Sequence, residues 1–231
     1  MDLARRSDLP EVMDDPEFPL ADYQRCLRDL AALNRLTMTH RPTLRWLRHA
    51  TQGWEAGRAL SVLDVAYGDG DLLRAIHRWA TRQGLAPVLS GIDLNPRSAA
   101  VAAATPPGEA IAWHTGDVFA YTPAPPPDFI VSSQFLHHLP DEMVVACLAW
   151  MERHAQRGWC VVDIHRHALP YYGFDLLARA MGWHRVVRTD GTISIARGFR
   201  LGEWRALVSA VVPDAAASWQ FPFRLSARHL R

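Results

Sequence analysis

Three aspartates near a pair of glycines carry the clearest chemical signal in this sequence of 231 residues. Asp64 lies in the apolar run LSVLDV, which continues into the turn AYGDG with its two glycines, Gly68 and Gly70. Asp93 ends a second apolar run, PVLSGID, and Asp117 follows a third. Ligands of open α/β proteins bind beyond the carboxyl ends of the strands. The pattern therefore predicts a ligand site at one edge of a sheet.

Each part of this pattern suits one part of a nucleoside cofactor. Glycines allow close approach of the backbone, and the helix that follows offers free N–H groups at its N-terminus. A carboxylate at Asp93 accepts hydrogen bonds from both hydroxyls of a ribose. A carboxylate at Asp117 accepts one from an adenine amino group, although a helix N-cap is a competing interpretation for this residue. Two glycines also occur in ordinary strand-to-helix turns, so the turn alone is a weak signal.

Histidines near the ends of two further predicted strands are the candidate acid–base groups. His137 and His138 follow the fourth strand, and His165 follows the fifth. Histidine titrates near neutral pH and suits the removal of a hydroxyl proton. At most one of the adjacent pair is expected to face a substrate. Strand alternation places Asp163 and His165 on the same side, which predicts a dyad in which Asp163 orients His165. A structural polar cluster is the competing interpretation.

Other polar and aromatic side chains are weaker candidates for contact with a substrate. Arg166 is predicted to clamp an acidic group or to pair with Asp163. Aromatic side chains suit a planar or acyl substrate, and packing of the cap is the competing interpretation for each; the candidates are Tyr23, Tyr171, Tyr172, Phe174 and Trp183. Asp190 and Arg197 flank TDGTISIAR, which is predicted to be a lid strand or loop.

Alternating strands and helices position these residues. Five apolar strands are predicted at 60–65, 87–93, 111–114, 128–133 and 159–164, with helices at 71–83, 96–104 and 141–156 between them. This alternation predicts crossovers and a mainly parallel sheet. Helices at 22–36 and 42–51 precede the first strand; helices at 171–181 and 201–211 and a hairpin over 217–230, broken at Pro222, follow the fifth. The fold class is α/β, with a doubly wound Rossmann-like sheet.

Composition excludes several classes of function. The net charge is +1, so we expect no broad basic surface for nucleic acid. All 25 residues counted as Lys+Arg are arginine, which excludes a Schiff-base lysine and a P-loop lysine. The three cysteines form no C-x-x-C pair, so no zinc knuckle or disulfide framework is indicated. No apolar run reaches about 18 residues and no secretory signal pattern opens the chain, so we expect a cytoplasmic protein without a membrane span.

Four segments resemble the motifs of class I S-adenosylmethionine (SAM) dependent methyltransferases: LDVAYGDG, GIDLNP, TGDVF and DFIVSSQFLHHLPD. The resemblance covers about 60–165 by motif and the remainder by the order of the elements. The tripeptide HHL is similar to that of quinone-biosynthesis methyltransferases and their natural-product relatives. VVDIHR, RTDGTISIARGF and LPEVMDDP resemble a bacterial subgroup associated with polyketide-type gene clusters.

The resemblance implies a seven-stranded sheet with an N-terminal lead-in and helical cap at 1–55 and a SAM-binding domain at 56–231. It implies SAM as the cofactor, no metal, and methylation of a small molecule at the oxygen of a phenolic, polyketide-like or quinone-like product. The chain is a possible homodimer. The implied cofactor site consists of Asp64, Ala66, Tyr67, Gly68, Gly70, Asp93, Leu94, Asp117, Val118, Ser133 and Gln134. The residues predicted to contact the methyl acceptor are His138, Arg166, Tyr171 and Tyr172.

One departure from the family pattern keeps other functions open. Ala66-Tyr67 stands where the family has Gly-Cys or Gly-Ser, and a positive φ at Ala66 costs about 1 kcal/mol. A SAM-fold binding or partner subunit that has lost catalysis is therefore an alternative. An NAD-linked oxidoreductase is a second, but Leu73 occupies the place of the third glycine in its fingerprint. An RNA methyltransferase is disfavoured by the charge balance.

Overall fold

The computed structural model describes residues 3–104 and 110–231. Seven strands and eight α-helices alternate along most of the chain. The strands are β1 (Ala59–Val65), β2 (Ala86–Asp93), β3 (Ile111–Thr115), β4 (Phe129–Ser133), β5 (Gly158–Ile164), β6 (Ala216–Gln220) and β7 (Arg224–Leu230). The helices are α1 (Leu20–Leu36), α2 (Arg41–Ala50), α3 (Asp71–Arg82), α4 (Pro96–Ala104), α5 (Asp141–His154), α6 (Ala168–Ala180), α7 (Arg185–Arg197) and α8 (Leu201–Ser209).

All seven strands form one sheet in the order β3-β2-β1-β4-β5-β7-β6. Strands β1 to β5 are parallel, and β7 runs antiparallel to both of its neighbours. The order reverses between β1 and β4, and such a switch point leaves a crevice at the carboxyl ends of the strands. The predicted doubly wound seven-stranded fold and its closing hairpin are confirmed.

Helices cover both faces of the sheet. Trp46 and Leu47 from α2 pack with α3 against Leu60 and Phe129 on one face. On the other face, α5 and α8 bury an apolar stripe that includes Leu148 and Trp204. Spacing of three and four residues generates such a stripe, as at Val144, Cys147, Leu148 and Met151 of α5. None of the described helices is long and apolar enough to span a bilayer.

A third apolar cluster lies over the carboxyl ends of the strands and forms a cap. It joins α1, α6 and α7 through side chains such as Leu27, Phe174 and Val187. Residues 3–19, the N-terminal segment, precede α1 and are hydrogen-bonded to α7 of this cap at Ala196 and Asp190. Helix α2 packs on the sheet, whereas α6 and α7 join α1 in the cap. The cap therefore combines distant parts of the chain. The domain boundary at 55/56 stays a prediction.

One predicted element is wrong. TDGTISIAR, expected as a lid strand or loop, is the C-terminal part of α7, which runs from Arg185 to Arg197. Its β-branched residues favour a strand locally, but helical spacing turns Val187 and Ile195 toward the cap cluster. Tertiary packing therefore outweighs local preference here.

Candidate active site

A cavity of about 910 Å³ occupies the crevice above the sheet. The carboxyl ends of β1, β2, β4 and β5 form its floor, and α1, α6, α7 and residues of the N-terminal segment enclose it. Cavities that hold drug-sized ligands measure roughly 300–1,000 Å³. This one therefore has room for a nucleoside cofactor together with a small second molecule.

The turn after β1 brings backbone N–H groups to the cavity. Ala66, Gly68 and Gly70 have positive φ angles of 61°, 58° and 80°. A Cβ atom at Gly70 would collide with the ring of Trp113, so this position requires glycine. The turn ends at the first residue of α3, Asp71, which also lines the cavity. The predicted tight approach of backbone to a ligand is thus present in the geometry.

The side chain of Tyr67 packs against β2 and β3 at the wall of the cavity. Its ring packs on Trp113, with the ring centroids 4.8 Å apart, and covers Gly91 of β2. Ala66 donates its backbone N–H to the carbonyl of Ile92 at 2.8 Å, which fixes the turn against β2. The unusual Ala66-Tyr67 pair therefore leaves the crevice open.

Asp93 is held rigidly beside this turn. Its two carboxylate oxygens accept backbone N–H groups of Gly68 at 2.9 Å and of Asn95 at 2.8 Å. Each oxygen keeps a second lone pair for a ligand. Burial raises the pKa of Asp93, and the two backbone hydrogen bonds oppose that effect. The residue is a fixed acceptor at the place where a ribose is expected.

Asp64 presents an unsatisfied acceptor to the same cavity. The side chain is 2% exposed, and Oδ1 has no hydrogen-bond partner within the described ranges 3–104 and 110–231. Burial, together with the charges of Asp71 and Asp93, raises its pKa well above the usual value. A buried acceptor without a partner costs about 1–3 kcal/mol. A cationic group bound in the cavity would satisfy it.

The remaining predicted cofactor residues also line the cavity, and one of them has a second role. Leu94, Val118, Ser133 and Gln134 reach it from the turns that follow β2, β3 and β4. Asp117 accepts the N–H of Phe119 at 2.9 Å and caps the short 3₁₀ turn Val118–Ala120. The N-cap interpretation of Asp117 is therefore correct, and its second oxygen stays available to a ligand.

Asn34 of α1 and His40, in the turn between α1 and α2, are site residues that the sequence pattern did not indicate. Asn34 donates to Asp71 at 2.9 Å and accepts from the side-chain amide of Gln134 at 2.7 Å. His40 lies 2.9 Å from the same oxygen of Asp71. These bonds tie the cap to the glycine turn. A polar residue at a buried helix position, as Asn34 is, was the only signal that could have revealed the link.

His137 and Asp163 form a buried pair at the acceptor end of the cavity, where His137 lines it. Nδ1 of His137 lies 2.7 Å from Oδ1 of Asp163, and the backbone N–H of His137 donates to the other carboxylate oxygen at 3.3 Å. Burial opposes ionisation of Asp163, but the charge and hydrogen bond of His137 outweigh it and lower the pKa. The predicted pairing of Asp163 with His165 is therefore wrong.

The reason lies in the register of the sheet. Ser133 of β4 aligns with Val162 of β5, so the turn after β4 lies directly over Asp163. The chain leaves β5 at Ile164, and His165 instead approaches Phe223, with ring centroids 6.4 Å apart. His165 still lines the cavity. Burial, with the neighbouring charge of His167, lowers its pKa.

His138 faces two acids of the N-terminal segment. Its Nδ1 lies 3.2 Å from Asp14, and its Nε2 lies 3.9 Å from Oε1 of Glu11. Burial lowers the pKa of His138, but the hydrogen bond to Asp14 and the charge of Glu11 outweigh this and raise it. Both acids escaped the sequence analysis, because the segment that carries them has no periodic pattern.

Two arginines donate hydrogen bonds to the backbone of the turn that carries His137 and His138, here called the histidine turn. Arg6 donates to the carbonyls of His137 at 3.0 Å and Leu139 at 2.9 Å. Arg197 donates to the carbonyls of His137 at 3.2 Å and His138 at 2.8 Å. The N-terminal segment and α7 therefore converge on the turn that carries the two imidazoles.

Three predicted substrate contacts lie away from the cavity. Arg166 is 2% exposed. Its guanidinium donates to Glu203 and to the carbonyls of Leu3 and Gly198, so its charge serves a structural contact. Tyr172 is 69% exposed, and Tyr171 packs on the edge of the cap. Tyr172 lies on the side of α6 opposite Phe174, which does line the cavity. These three predictions are wrong.

Other aromatic and charged candidates have mixed outcomes. Tyr23 lines the cavity and its hydroxyl lies 2.9 Å from that of Ser98. Trp183 packs in the cap cluster. Asp190 lines the cavity and accepts the N–H groups of Val12 and Met13, so it anchors the N-terminal segment.

Comparison with known proteins supports the architecture. Residues 62–158 match a protein family described as a methyltransferase domain. This segment contains the glycine turn, the three strand-end aspartates and the histidine turn. Comparison with curated proteins gave no match.

Solved structures with the same fold are distant in sequence. Magnesium protoporphyrin IX methyltransferase from Synechocystis PCC 6803, crystallised with SAH, is 17% identical over 84% of this chain and 82% of its own, with a TM-score of 0.54. Human N-acetylserotonin methyltransferase in complex with SAM is 13% identical over 92% of this chain and 56% of its own, with a TM-score of 0.62. A plantazolicin methyltransferase in complex with a triazolic desmethylPZN analog and SAH is 10% identical over 92% and 96%, with a TM-score of 0.62. At these identities the likeness establishes the fold.

Proposed function

We propose that this chain transfers the methyl group of SAM to a small molecule, at an oxygen of a phenolic, polyketide-like or quinone-like acceptor. The observation that carries the proposal is the continuity of one cavity. Its floor joins the glycine turn and the strand-end carboxylates Asp64, Asp93 and Asp117 to the imidazoles of His137 and His138. The methyltransferase-domain match over 62–158 and the SAM- and SAH-bound structures of the same fold support it.

The described residues fit the cofactor. Asp93 offers acceptors for the ribose hydroxyls, and Asp117 offers one for the adenine amino group. The unpaired oxygen of Asp64 and the unpaired hydroxyl of Ser133 offer partners to the charged amino-acid end. When bound, SAM supplies a methyl group on a positively charged sulfur, which is already an activated electrophile.

The chain's own residues then have to position the acceptor and take its proton. Nε2 of His137 has no hydrogen-bond partner among described residues, and Asp163 holds Nδ1 on the other side of the ring. Asp163 thereby favours the tautomer in which Nδ1 carries the proton and Nε2 is free to accept one. We assign His137 as the general base, Asp163 as its positioning residue, and His138 and His165 as walls of the acceptor site.

The acceptor end of the cavity suits a neutral and largely apolar molecule. Apolar side chains of α6 and α7, among them Phe174, Leu177 and Val187, line it. The acids Glu11, Asp14 and Asp190 face the same space and disfavour an anionic acceptor. A phenol or a polyketide hydroxyl meets both conditions.

A catalytically altered SAM-fold protein that serves as a binding or partner subunit is the second candidate. The positive φ of Ala66, 61°, favours it, since it records a strained residue in the cofactor turn. An NAD-linked oxidoreductase stays the least favoured, because Leu73 lies at the position of its third glycine.

Titration calorimetry of the full chain with SAM, S-adenosylhomocysteine and NAD tests the cofactor. We expect binding of the first two and none of NAD. Release of S-adenosylhomocysteine is then measured with matched phenol and anisole pairs, which differ only in a free hydroxyl. Turnover of the phenols alone supports transfer to oxygen. SAM binding without turnover of any acceptor, together with a stable complex with another protein, would establish the partner-subunit function instead.

A further inference from the structure

Three potential metal ligands from two distant segments meet at the acceptor end of the cavity. Glu11, His137 and His138 each offer one atom, and these atoms all lie within 4.8 Å of one another. Oε1 of Glu11 is 3.8 Å from Nε2 of His137 and 3.9 Å from Nε2 of His138. Ligand atoms that bind one metal ion at about 2.0–2.2 Å lie slightly closer to one another than these atoms do. A small movement of the side chains would therefore let all three bind one ion.

Both imidazoles are oriented by a second carboxylate. Asp163 lies 2.7 Å from Nδ1 of His137, and Asp14 lies 3.2 Å from Nδ1 of His138. Each ring therefore turns Nε2, and not Nδ1, toward Glu11. A carboxylate on the distal nitrogen is the usual support of a metal-binding histidine, because it fixes the tautomer and raises the basicity of the ligating nitrogen.

A buried nitrogen without a partner points to a missing ligand. His137 is 2% exposed, and Nε2 makes no hydrogen bond with any residue that the structure describes. An unsatisfied buried polar atom costs about 1–3 kcal/mol. Glu11 is also buried, and its Oε1 accepts the hydroxyl of Ser194 at 2.8 Å. The carboxylate is thus held in place facing both rings.

The surrounding charges favour a cation. Three carboxylates surround the two imidazoles: Glu11, Asp14 and Asp163. The nearby guanidinium groups of Arg6 and Arg197 are directed to backbone carbonyls of the turn, on its other side. Two imidazole nitrogens and one carboxylate oxygen suit zinc and the neighbouring divalent transition metals better than magnesium, which prefers oxygen ligands.

We propose that Glu11, His137 and His138 form a binding site for one divalent transition-metal ion, of which Zn²⁺ is the model. The site has three protein ligands, and its open side faces the cavity. Nε2 of His137 has one lone pair. It can therefore bind the ion or take the proton of the methyl acceptor, but not both at once. Only this consequence, inhibition of methyl transfer by the ion, rests on the proposed function; the binding of the ion does not.

The test uses the full chain, freed of metal by a chelator and then titrated with Zn²⁺ against a chromophoric chelator. We expect one ion per chain. Glu11→Gln removes a ligand while keeping the size of the side chain, and Asp163→Asn removes the support of His137. Loss of a carboxylate that hydrogen-bonds to a metal-binding histidine lowers metal affinity about 10–100-fold, and we expect at least that loss for each variant. His77→Gln, on the outer side of α3, serves as the matched control and should bind like the wild type.

Binding of SAM by each variant, with thermal unfolding, shows that it is folded. The visible absorption of Co²⁺ reports the ligand set directly and should change in Glu11→Gln. Zn²⁺ affinity that is equal in wild type and Glu11→Gln would overturn the proposal, as would a wild type that binds no Zn²⁺. A wild type that binds Zn²⁺ but not SAM would support the metal site and remove the proposed function, so the two can fail separately.

Discussion

Nδ1 of His137 lies 2.7 Å from Oδ1 of Asp163, and this bond joins the turn after β4 to the last part of β5. Asp163 is completely buried and also accepts the N–H of Ile164 at 2.7 Å, so it cannot turn away. The imidazole is consequently fixed by a group that never touches the cavity. This arrangement makes the effect of Asp163 on turnover separable from any effect on cofactor binding.

Asp163→Asn should lower turnover strongly and leave SAM affinity unchanged. The amide cannot stabilise a protonated His137, and general base catalysis contributes about 10²–10⁴-fold to rate. The measurements are kcat at saturating SAM in the presence of a chelator and the SAM Kd by calorimetry. Asp214→Asn, an exposed acid between α8 and β6, is the charge-matched control. Full turnover by a folded Asp163→Asn protein would remove His137 from the role of base.

Asp93→Ala should weaken cofactor binding. Two backbone N–H groups already hold this carboxylate, and the residue lines the cavity. Hydrogen bonds to a charged group contribute about 1.5–3 kcal/mol, so we expect the Kd of SAM to rise about 10–100-fold. Asp93→Asn keeps one acceptor oxygen and should lose less.

Thermal unfolding accompanies this measurement, because Asp93 also supports the turn at Gly68. Asp214→Ala provides the control for the loss of one negative charge. A Kd for SAM that stays at the wild-type value in folded Asp93→Ala would show that the ribose does not lie at the end of β2.

Affinity for SAM should rise with pH, and Asp64 should be the cause. Burial and two neighbouring acids raise the pKa of Asp64 in the free protein, so part of the population carries a proton there at pH values where an ordinary aspartate is ionised. A cationic ligand favours the carboxylate and lowers this pKa, so binding releases a proton below the raised pKa and none well above it. Affinity is therefore weakest at low pH and reaches a plateau once Asp64 is ionised.

Calorimetry in buffers of different ionisation enthalpy measures the released protons. Asp64→Asn should abolish the Asp64 contribution and flatten the pH profile. S-adenosylhomocysteine lacks the sulfonium charge but keeps the amino group assigned to Asp64, so most of the slope should remain. Affinity for SAM that falls as the pH rises would contradict this assignment.

The sequence predicted the sheet and the grouping of its strand-end acids around one cavity, because local patterns determine both. Apolar strands, the glycine turn and the acids Asp64, Asp93 and Asp117 all occur within a few residues of a strand end. Parallel strands then bring these ends to one edge whatever the rest of the chain does. The strand and helix bounds of this part differ from the predicted ones by at most two residues.

The acceptor end depended on contacts that no local pattern contains. Glu11 and Asp14 reach the histidine turn from more than a hundred positions away, out of a segment without periodicity. Alternation put Asp163 and His165 on the same side of β5, but the partner of Asp163 is His137, because the partner depends on the pairing of β4 with β5. The helical state of α7 likewise follows from its packing on the cap.

Ala66→Gly should stabilise the protein, which is the opposite of what glycine does at an ordinary alanine. Ala66 has a φ of 61°, and a residue with a Cβ atom in this region costs about 1–2 kcal/mol. Glycine removes that cost. It also destabilises the folded protein by about 0.5–1 kcal/mol, because the unfolded chain gains freedom, so we expect a net gain of up to about 1 kcal/mol in the free energy of unfolding.

Ala75→Gly, in the middle of α3, is the matched control and should lose about 1 kcal/mol. Urea unfolding of the three proteins measures both changes. The same sign for the two substitutions would show that Ala66 is not strained, and the explanation of the Ala66-Tyr67 departure would then have to come from the ligand and not from the backbone.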